Sequence, residues 1–434
     1  MAKHNIEHGG GLTTNLRARL HELAALPPVL ETPYLTVSVD WSVDGENPGA
    51  TFQTEGKASQ RKSGHGAEGG VTRRPGRIEV AHELKKIVDA AGIRGTVYDS
   101  LKADAEAILA FLDGELDPSA QGAFIVANSG AGVFEALSIG VPTPTGAVTG
   151  PTPALSPLAR LVEDYPPYLV FVGDLACASL TVVTRHRPAG NLTMKGSKYP
   201  KHQKQGGSQR RYQERAQNRI DSFVKDAAIE AEQILTDFGI DIAIVGGDEV
   251  FVSALNAGIG PKLKAAIAAK LDIEMKATDK QIIDMTMPIV EQIERDRELA
   301  DAKKLAGEIG ESDKGAGDII PVLKALVAGQ VSDLIFNEDF QAVGWADFTL
   351  DLYGPGDVPA EHPIGGDVAD LVAIDLDEEM VRLALRGGAE IEIIEVQPPV
   401  AGGQVPKAGD AIPRTEAAAI LDGFGGVGAL LRYA

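Results

Sequence analysis

Cysteine is nearly missing from this chain: Cys177 is the only one in 434 residues. A lone thiol excludes an internal disulfide framework and any cysteine-based zinc site. Histidine is also scarce, with eight copies, and none adopts a convincing metal-ligand spacing. His4 and His8 stand four residues apart, but in a glycine-rich stretch where a helix is not expected. No apolar run approaches the ~18 residues of a membrane span. The opening MAKHNIEHGGG has no apolar core of the signal-peptide kind, so a cytoplasmic protein is expected. Positive charge is short as well: 41 Lys and Arg face 62 Asp and Glu, a formal charge of −21 and a pI near 4.8. Such a surface as a whole binds nucleic acid poorly, and any contact with a polyanion must be local.

What positive charge there is has been gathered. Between residues 185 and 219 stand Arg185, Arg187, Lys195, Lys198, Lys201, Lys204, Arg210, Arg211, Arg215 and Arg219, against Glu214 alone. The local balance is +9, which leaves −30 for the rest of the chain. Like charges repel, and such a concentration is tolerated most easily when a polyanion meets it. Lys195 to Gln205 holds almost no apolar residue, and the segment includes Gly190, Gly196, Pro200, Gly206 and Gly207. It reads as a long mobile basic loop rather than a packed element. At its tip, Gly206-Gly207-Ser208-Gln209 offers close backbone approach followed by a carboxamide.

The 44% apolar share is ample for real cores, and the length suggests roughly two to four domains. Residues 1–165 read as α/β. Tyr34 to Trp41 alternates like a half-buried strand, Ile78 to Ala91 and Leu101 to Leu112 have helical periodicity, and Ala123 to Ala127 is a short buried strand. Thr51 to Arg77 carries Lys57, Arg61, Lys62, Arg73, Arg74 and Arg77, and a solvated loop is favoured there over an RNA contact. The Pro-rich strip Val141 to Pro157 reads as an excursion or linker.

Residues 166–310 open with the strand Tyr168 to Val172, a hairpin at Gly173-Asp174, and Cys177 to Thr184. After the basic loop a helix is expected from Gln209, N-capped by Ser208 and closed by Gly239. Its stripe is Ile220, Phe223, Val224, Ala227, Ala231, Ile234 and Leu235. Ile240 to Val245 should be a buried strand, Pro261 to Leu271 a helix, and Asp279 to Ala306 a long charged helix. A linker, 307–317, leads to residues 317–434. There Ile319 to Ala328 and Leu376 to Arg386 read as helices, and Val331 to Phe336, Ala389 to Val396 and Gly428 to Tyr433 as strands. Trp345 to Pro359 reads as an acidic insertion.

Several signals have plainer explanations. Gly423 to Gly428 matches G-x-G-x-x-G, but no βαβ unit fits behind it, and a turn into a final strand is expected. Ser129-Gly-Ala-Gly132 could hold a phosphate before a helix, although an ordinary strand-to-helix turn is favoured. Asp248-Glu249 reads as acids in the first turn of a helix, and Cys177 as a small buried hydrophobe.

The run KHQKQGGSQRRYQERAQNRIDSFVKDAAIEAEQIL, then GIDIAIVGG, resembles the central ribonuclease-H-like domain of the archaeo-eukaryotic peptide release factor superfamily, bacterial branch. There a basic loop with Gly-Gly-Gln precedes a long helix and a glycine-ended strand. The Gly-Gly-Ser-Gln spelling is similar to the Vms-type peptidyl-tRNA-cleaving factors. VLKALVAGQVSDLIF, RGGAEIEII and GFGGVGALLRY resemble the C-terminal domain shared with Pelota. The fold implied is α/β throughout. It comprises an N-terminal α/β domain (1–165), a central ribonuclease-H-like domain with the Gly-Gly-Ser-Gln loop (166–310), and a C-terminal release-factor-like α/β sandwich (317–434). No Asn-Ile-Lys-Ser stretch, which the family uses in stop-codon reading, occurs in 1–165, so rescue, quality control or hibernation is favoured over ordinary termination.

The resemblance implies a ribosome-associated factor whose partners are the ribosome and the CCA end of peptidyl-tRNA, with a translational GTPase left open. It implies no cofactor and no metal. The implied catalytic set is Gly206, Gly207, Ser208 and Gln209, with the ten basic residues above binding RNA. Two rivals stand: a non-enzymatic hibernation or occupancy factor, and a nuclease needing clustered carboxylates, for which only Asp174 and Asp241 are candidates.

Overall fold

The computed structural model describes residues 16–42, 74–118, 120–163, 167–174, 177–184, 187–195, 209–312, 314–397 and 413–433. They form a mixed α/β chain that divides into two compact units. One is made of residues 18–161, 308–391 and 424–434, the other chiefly of 162–307 and 392–423.

The first unit opens with α1 (Leu16–Ala24), β1 (Tyr34–Asp40), α2 (Pro75–Ala90), α3 (Thr96–Gly114), β2 (Gly122–Asn128), β3 (Val133–Ile139), β4 (Gly146–Gly150) and α4 (Ser156–Glu163). The strands make an antiparallel sheet in the order β3-β2-β1-β4. β1 is buried on both faces, not on one as its alternation suggests. Leu35, Val37 and Val39 pack with Val80, Leu84, Leu101 and Ile108 of α2 and α3. The other face is covered by the chain after β3: Ser38 Oγ donates to Pro144 O at 2.6 Å, and Ala154 N donates to Thr36 Oγ1 at 3.1 Å. The polar side chains on that face hold backbone groups, which is why Thr and Ser tolerate burial there. The Pro-rich strip is thus no linker, because it contributes β4 to the sheet. Ser129 to Gly132 turns between two strands, with no helix after it. Its N–H groups are already taken: Ser129 N by Asp104 at 2.7 Å, Gly130 N by Ser100 at 3.2 Å and Ala131 N by Asn128 at 2.9 Å. Those three N–H groups are not left to cradle a phosphate.

The second unit holds β5 (Tyr168–Gly173), β6 (Cys177–Thr184), β7 (Arg187–Lys195), α5 (Gln209–Asp237), β8 (Ile242–Gly247), α6 (Glu249–Gly258), α7 (Pro261–Ala266), β9 (Ile267–Leu271) and the body of α8 (Asp279–Glu311). Its sheet runs β7-β6-β5-β8-β9, an antiparallel meander of three strands followed by two parallel ones. In the order of the domain's own strands this is 3-2-1-4-5, the ribonuclease-H-like arrangement. β5 reads as an uninterrupted apolar run because helices cover it on both sides. Leu169 and Phe171 face α5, α6 and α7, while Tyr168, Val170 and Val172 pack with Ile282 and Val290 of α8. Gly247 ends β8 with a φ of 113°. A Cβ there would collide with Gly173 O, so only glycine lets the two strand ends meet.

Further expectations are corrected here. β7 occupies the start of what reads as loop in the sequence. Residues 267–271 are a strand rather than the end of a helix. Asp248 and Glu249 do begin a helix, as expected: Asp248 caps α6, accepting from Phe251 N at 2.6 Å, and Glu249 lies in its first turn. The helix α8 runs on to Glu311, through the first half of the expected linker. Cys177 opens β6 half-buried rather than enclosed.

The remaining elements are β10 (Gly315–Gly317), α9 (Ile319–Val327), β11 (Val331–Asn337), β12 (Val343–Asp347), β13 (Leu352–Pro355), β14 (Val372–Asp375), α10 (Leu376–Arg386), β15 (Glu390–Ile394), α11 (Glu416–Asp422) and β16 (Val427–Leu431). They build two sheets, β10-β16-β11-β15 and β13-β12-β14. The expected acidic insertion is the hairpin of the second sheet. Gly425 and Gly426 turn the chain into β16 with φ values of 74° and 83°. The G-x-G-x-x-G run therefore precedes a strand and binds no dinucleotide in the βαβ manner.

Candidate functional site: the connection between β7 and α5

The loop tip itself, Gly206, Gly207 and Ser208, lies outside the described residues, as do Arg185, Lys198, Lys201 and Lys204. What the structure places are the two elements that hold the loop. It leaves β7 at Lys195, an exposed residue on the outer edge of the sheet, and it ends at Gln209, the first residue of α5. The helix therefore begins at the residue expected, and Gln209 stands at its N-terminus, where unpaired N–H groups and the macrodipole favour negative charge.

α5 has 29 residues, about 43 Å of helix. Val224, Ala227, Ala228, Ala231, Ile234 and Leu235 are its buried stripe. Gly239 fixes its C-terminus with a φ of 61°. Ile240 N donates to Leu235 O at 2.9 Å and Gly239 N to Thr236 O at 3.4 Å. At about 100° per residue, Arg211, Arg215 and Arg219 occupy helix positions opposite that stripe. Arg210 falls nearer the stripe's side. Three of the four arginine positions share a face, and the fourth does not.

The basic window is less convergent than its charge count implies. Arg187 pairs with Thr184 at one end of β7 and Lys195 with Cys177 at the other. At ~3.3 Å per residue those ends are about 26 Å apart. Arg187 therefore sits at the far end of the strand from the loop. Of the second basic region, Lys57, Arg61, Lys62 and Arg73 lie outside the described residues. Its two described arginines serve structure. Arg74 donates to Trp41 O at 2.6 Å and stacks 5.0 Å from that indole's centroid, and Arg77 forks onto Asp113 at 2.7 and 2.8 Å.

The nuclease carboxylates do not cluster. Asp174 Oδ1 accepts from Cys177 N at 2.6 Å in the β5–β6 hairpin, and Asp241 is exposed ahead of β8. Among the described residues no group of three or more His, Cys, Asp or Glu is placed to hold a metal ion. No described helix is long and apolar enough to cross a membrane.

Sequence reasoning missed two half-buried carboxyls. Burial pushes Glu378 up to about 7, although Leu155 N and Ser156 N donate to it at 2.7 and 2.9 Å. Burial likewise pushes Glu298 to about 7, beside Glu395 and Glu392. No local pattern marks either one, since their partners lie far away in sequence.

The sheet order and the edge-strand-to-helix loop define a ribonuclease-H-like α/β domain with a basic connection. Residues 153–291 match the family model described as bacterial archaeo-eukaryotic release factor family 10, which places this central region in the archaeo-eukaryotic release factor superfamily. Among solved structures, the chain is similar to the archaeal translation termination factor aRF1, at 15% identity over 97% of this chain and 98% of that one, with a TM-score of 0.23. It is similar to Pelota of Archaeoglobus fulgidus, at 14% identity over 74% and 81% of the two chains, TM-score 0.29. Dom34 of S. cerevisiae, a translation termination-like factor involved in RNA quality control, matches at 10% identity over 72% and 80%, TM-score 0.36. No curated protein sequence matches the chain.

Proposed function

We propose that this chain is a ribosome-associated release or rescue factor that hydrolyses the ester of peptidyl-tRNA with its Gly206-Gly207-Ser208-Gln209 loop. The observation that carries the reading is positional. Within the region matched by the release-factor family model, Gln209 is the first residue of α5, two positions after the paired glycines and at the end of the connection that leaves the edge strand β7. Water attacks the ester carbonyl carbon, the carbonyl oxygen takes the negative charge, and the tetrahedral species collapses to a free peptide acid and a ribose hydroxyl. Gly206 and Gly207 let the backbone enter a centre where a Cβ would collide. The Gln209 carboxamide orients the water and, with a nearby backbone N–H, favours the oxyanion. It is no general base, because an amide does not take a proton near neutral pH. The arginine face of α5 grips phosphates of the tRNA end.

The test is release of labelled peptide from stalled ribosome–peptidyl-tRNA complexes, with and without a codon in the A site. A group that acts in the transition state should cost rate rather than binding when removed. Gln209→Ala should lower release by on the order of 10²–10³ while ribosome binding stays near normal. Equal, negligible release by wild type and variant, with both bound tightly, would replace this reading by the occupancy reading.

A further inference from the structure

A second feature of the molecule has the opposite charge. In the first unit a cleft of about 430 Å³ is lined by Val148, Thr149 and Gly150 of β4, by Ala373, Ile374 and Asp375 of β14, and by the segment around Asp357. Three consecutive residues of each strand border the cleft, as expected where a cleft lies along the edge of a strand whose side chains alternate between faces. Both strands are sheet edges: β4 closes the order β3-β2-β1-β4, and β14 closes β13-β12-β14. Each presents one row of N–H and C=O groups with no bridging strand among the described residues. The rim is apolar, with Val148, Val343 and Val358 exposed by 46%, 66% and 37%. Its exposed charges, Asp357 and Asp375, are both acidic. Asp357, Asp375 and Glu378 border the cleft with no Lys or Arg among the lining residues. Asp375 precedes α10 without capping it. The base is held rigid, since Glu378 accepts from Leu155 N and Ser156 N, and Thr152 Oγ1 donates to Glu379 at 3.2 Å.

We propose that this cleft between β4 and β14 receives an extended, lysine- or arginine-bearing protein segment as an added strand. Backbone pairing with a free edge supplies affinity, alternate side chains reach the exposed valines, and the cationic ones meet Asp357 and Asp375. Phosphate chains are repelled here, so the partner is not the nucleic acid that the α5 face would hold. The idea does not depend on peptide release.

The experiment uses the full chain and a fluorescein-labelled eight-residue peptide alternating lysine and valine, followed by anisotropy. Asp357→Asn/Asp375→Asn should weaken binding at least tenfold. The same peptide with alternate backbone amides N-methylated should weaken as much, and the bound peptide should slow amide exchange at 148–150 or 373–375. Nonspecific attraction to a chain with 62 acidic residues would be insensitive to losing two of them, and that result overturns the proposal. Binding unaffected by N-methylation and matched by spermine overturns it too, leaving a general cation site. Tighter binding of a single-stranded RNA oligomer at the cleft, mapped by the same exchange, would overturn the partner class.

Discussion

Two side chains show how differently residues disclose themselves. Gln209 is legible in the sequence, because a carboxamide after paired glycines, inside the only strongly basic window, has few structural reasons to be there. Glu378 is silent, because its role depends on Leu155 and Ser156, more than two hundred positions away. Its chemistry nevertheless gives a firm expectation. Burial raises its pKa from 4.5 to about 7, so the folded protein holds the proton more tightly than the unfolded chain. Its contribution is then fully present below about pH 4.5 and is lost as pH rises through about 7. Thermal stability of wild type should fall between pH 5 and pH 8 by more than that of Glu378→Gln, whose amide oxygen can still accept from the two N–H groups. The difference should be on the order of a few kcal/mol across that window. Melting curves of the two proteins that decline in parallel would show that this carboxyl does not titrate there.

At the level of elements, the legible ones are those whose burial pattern agrees with their local propensity. β2, β5, β8, β11 and the helices α2, α3, α5, α9 and α10 read as the right type of element, because one stripe or one apolar run decides each, whereas β1 is read as a strand but with one buried face too few, and α8 as a helix that ends too early. The misread strands lie at sheet edges or carry residues that argue against them. β7 contains Pro188 and Gly190, which an edge strand tolerates because one side of its backbone has no partner strand among the described residues. β4 is Gly-Ala-Val-Thr-Gly in a proline-rich setting, and β9 is Ala-rich directly after a helix. Each is a strand because a neighbour supplies its hydrogen bonds, which is tertiary information. The arginines of α5 are testable at this scale. Arg211, Arg215 and Arg219 hold positions on one face away from the core stripe, so replacing all three by Gln should lower the slope of log binding against log salt by about 2 for a single-stranded tRNA end. Arg210→Gln should change that slope by less than a third of the triple effect. A triple variant with the wild-type slope in ribosome sedimentation would take the outer face of α5 out of the interface.

For the molecule as a whole, the organisation differs between sequence and space in one respect with consequences. Residues 18–161 and 308–391 are distant in the chain yet share a compact unit. They are joined by the Glu378 cap, by Thr152 on Glu379, by His21 Nδ1 donating to Leu385 O at 3.1 Å and by Arg160 on Glu338 at 2.8 Å. Nothing local in either segment announces the other, since the groups that meet are single polar side chains and backbone atoms. The sheet of residues 168–271, by contrast, has clusters on both faces drawn from its own helices. A chain ending at Gly310 removes the partners of the first segment and leaves those clusters whole. Amide exchange in that shortened protein should accelerate through β1, β2 and β4 towards unfolded rates, while β5, β6 and β8 keep most of their protection. If the loop acts as proposed, the shortened protein also keeps residual hydrolysis of free peptidyl-tRNA while losing ribosome affinity. Undiminished protection in β1 and β2 would mean that the first segment is stable by itself and that the contacts to Glu378, Glu379 and Leu385 are incidental to its folding.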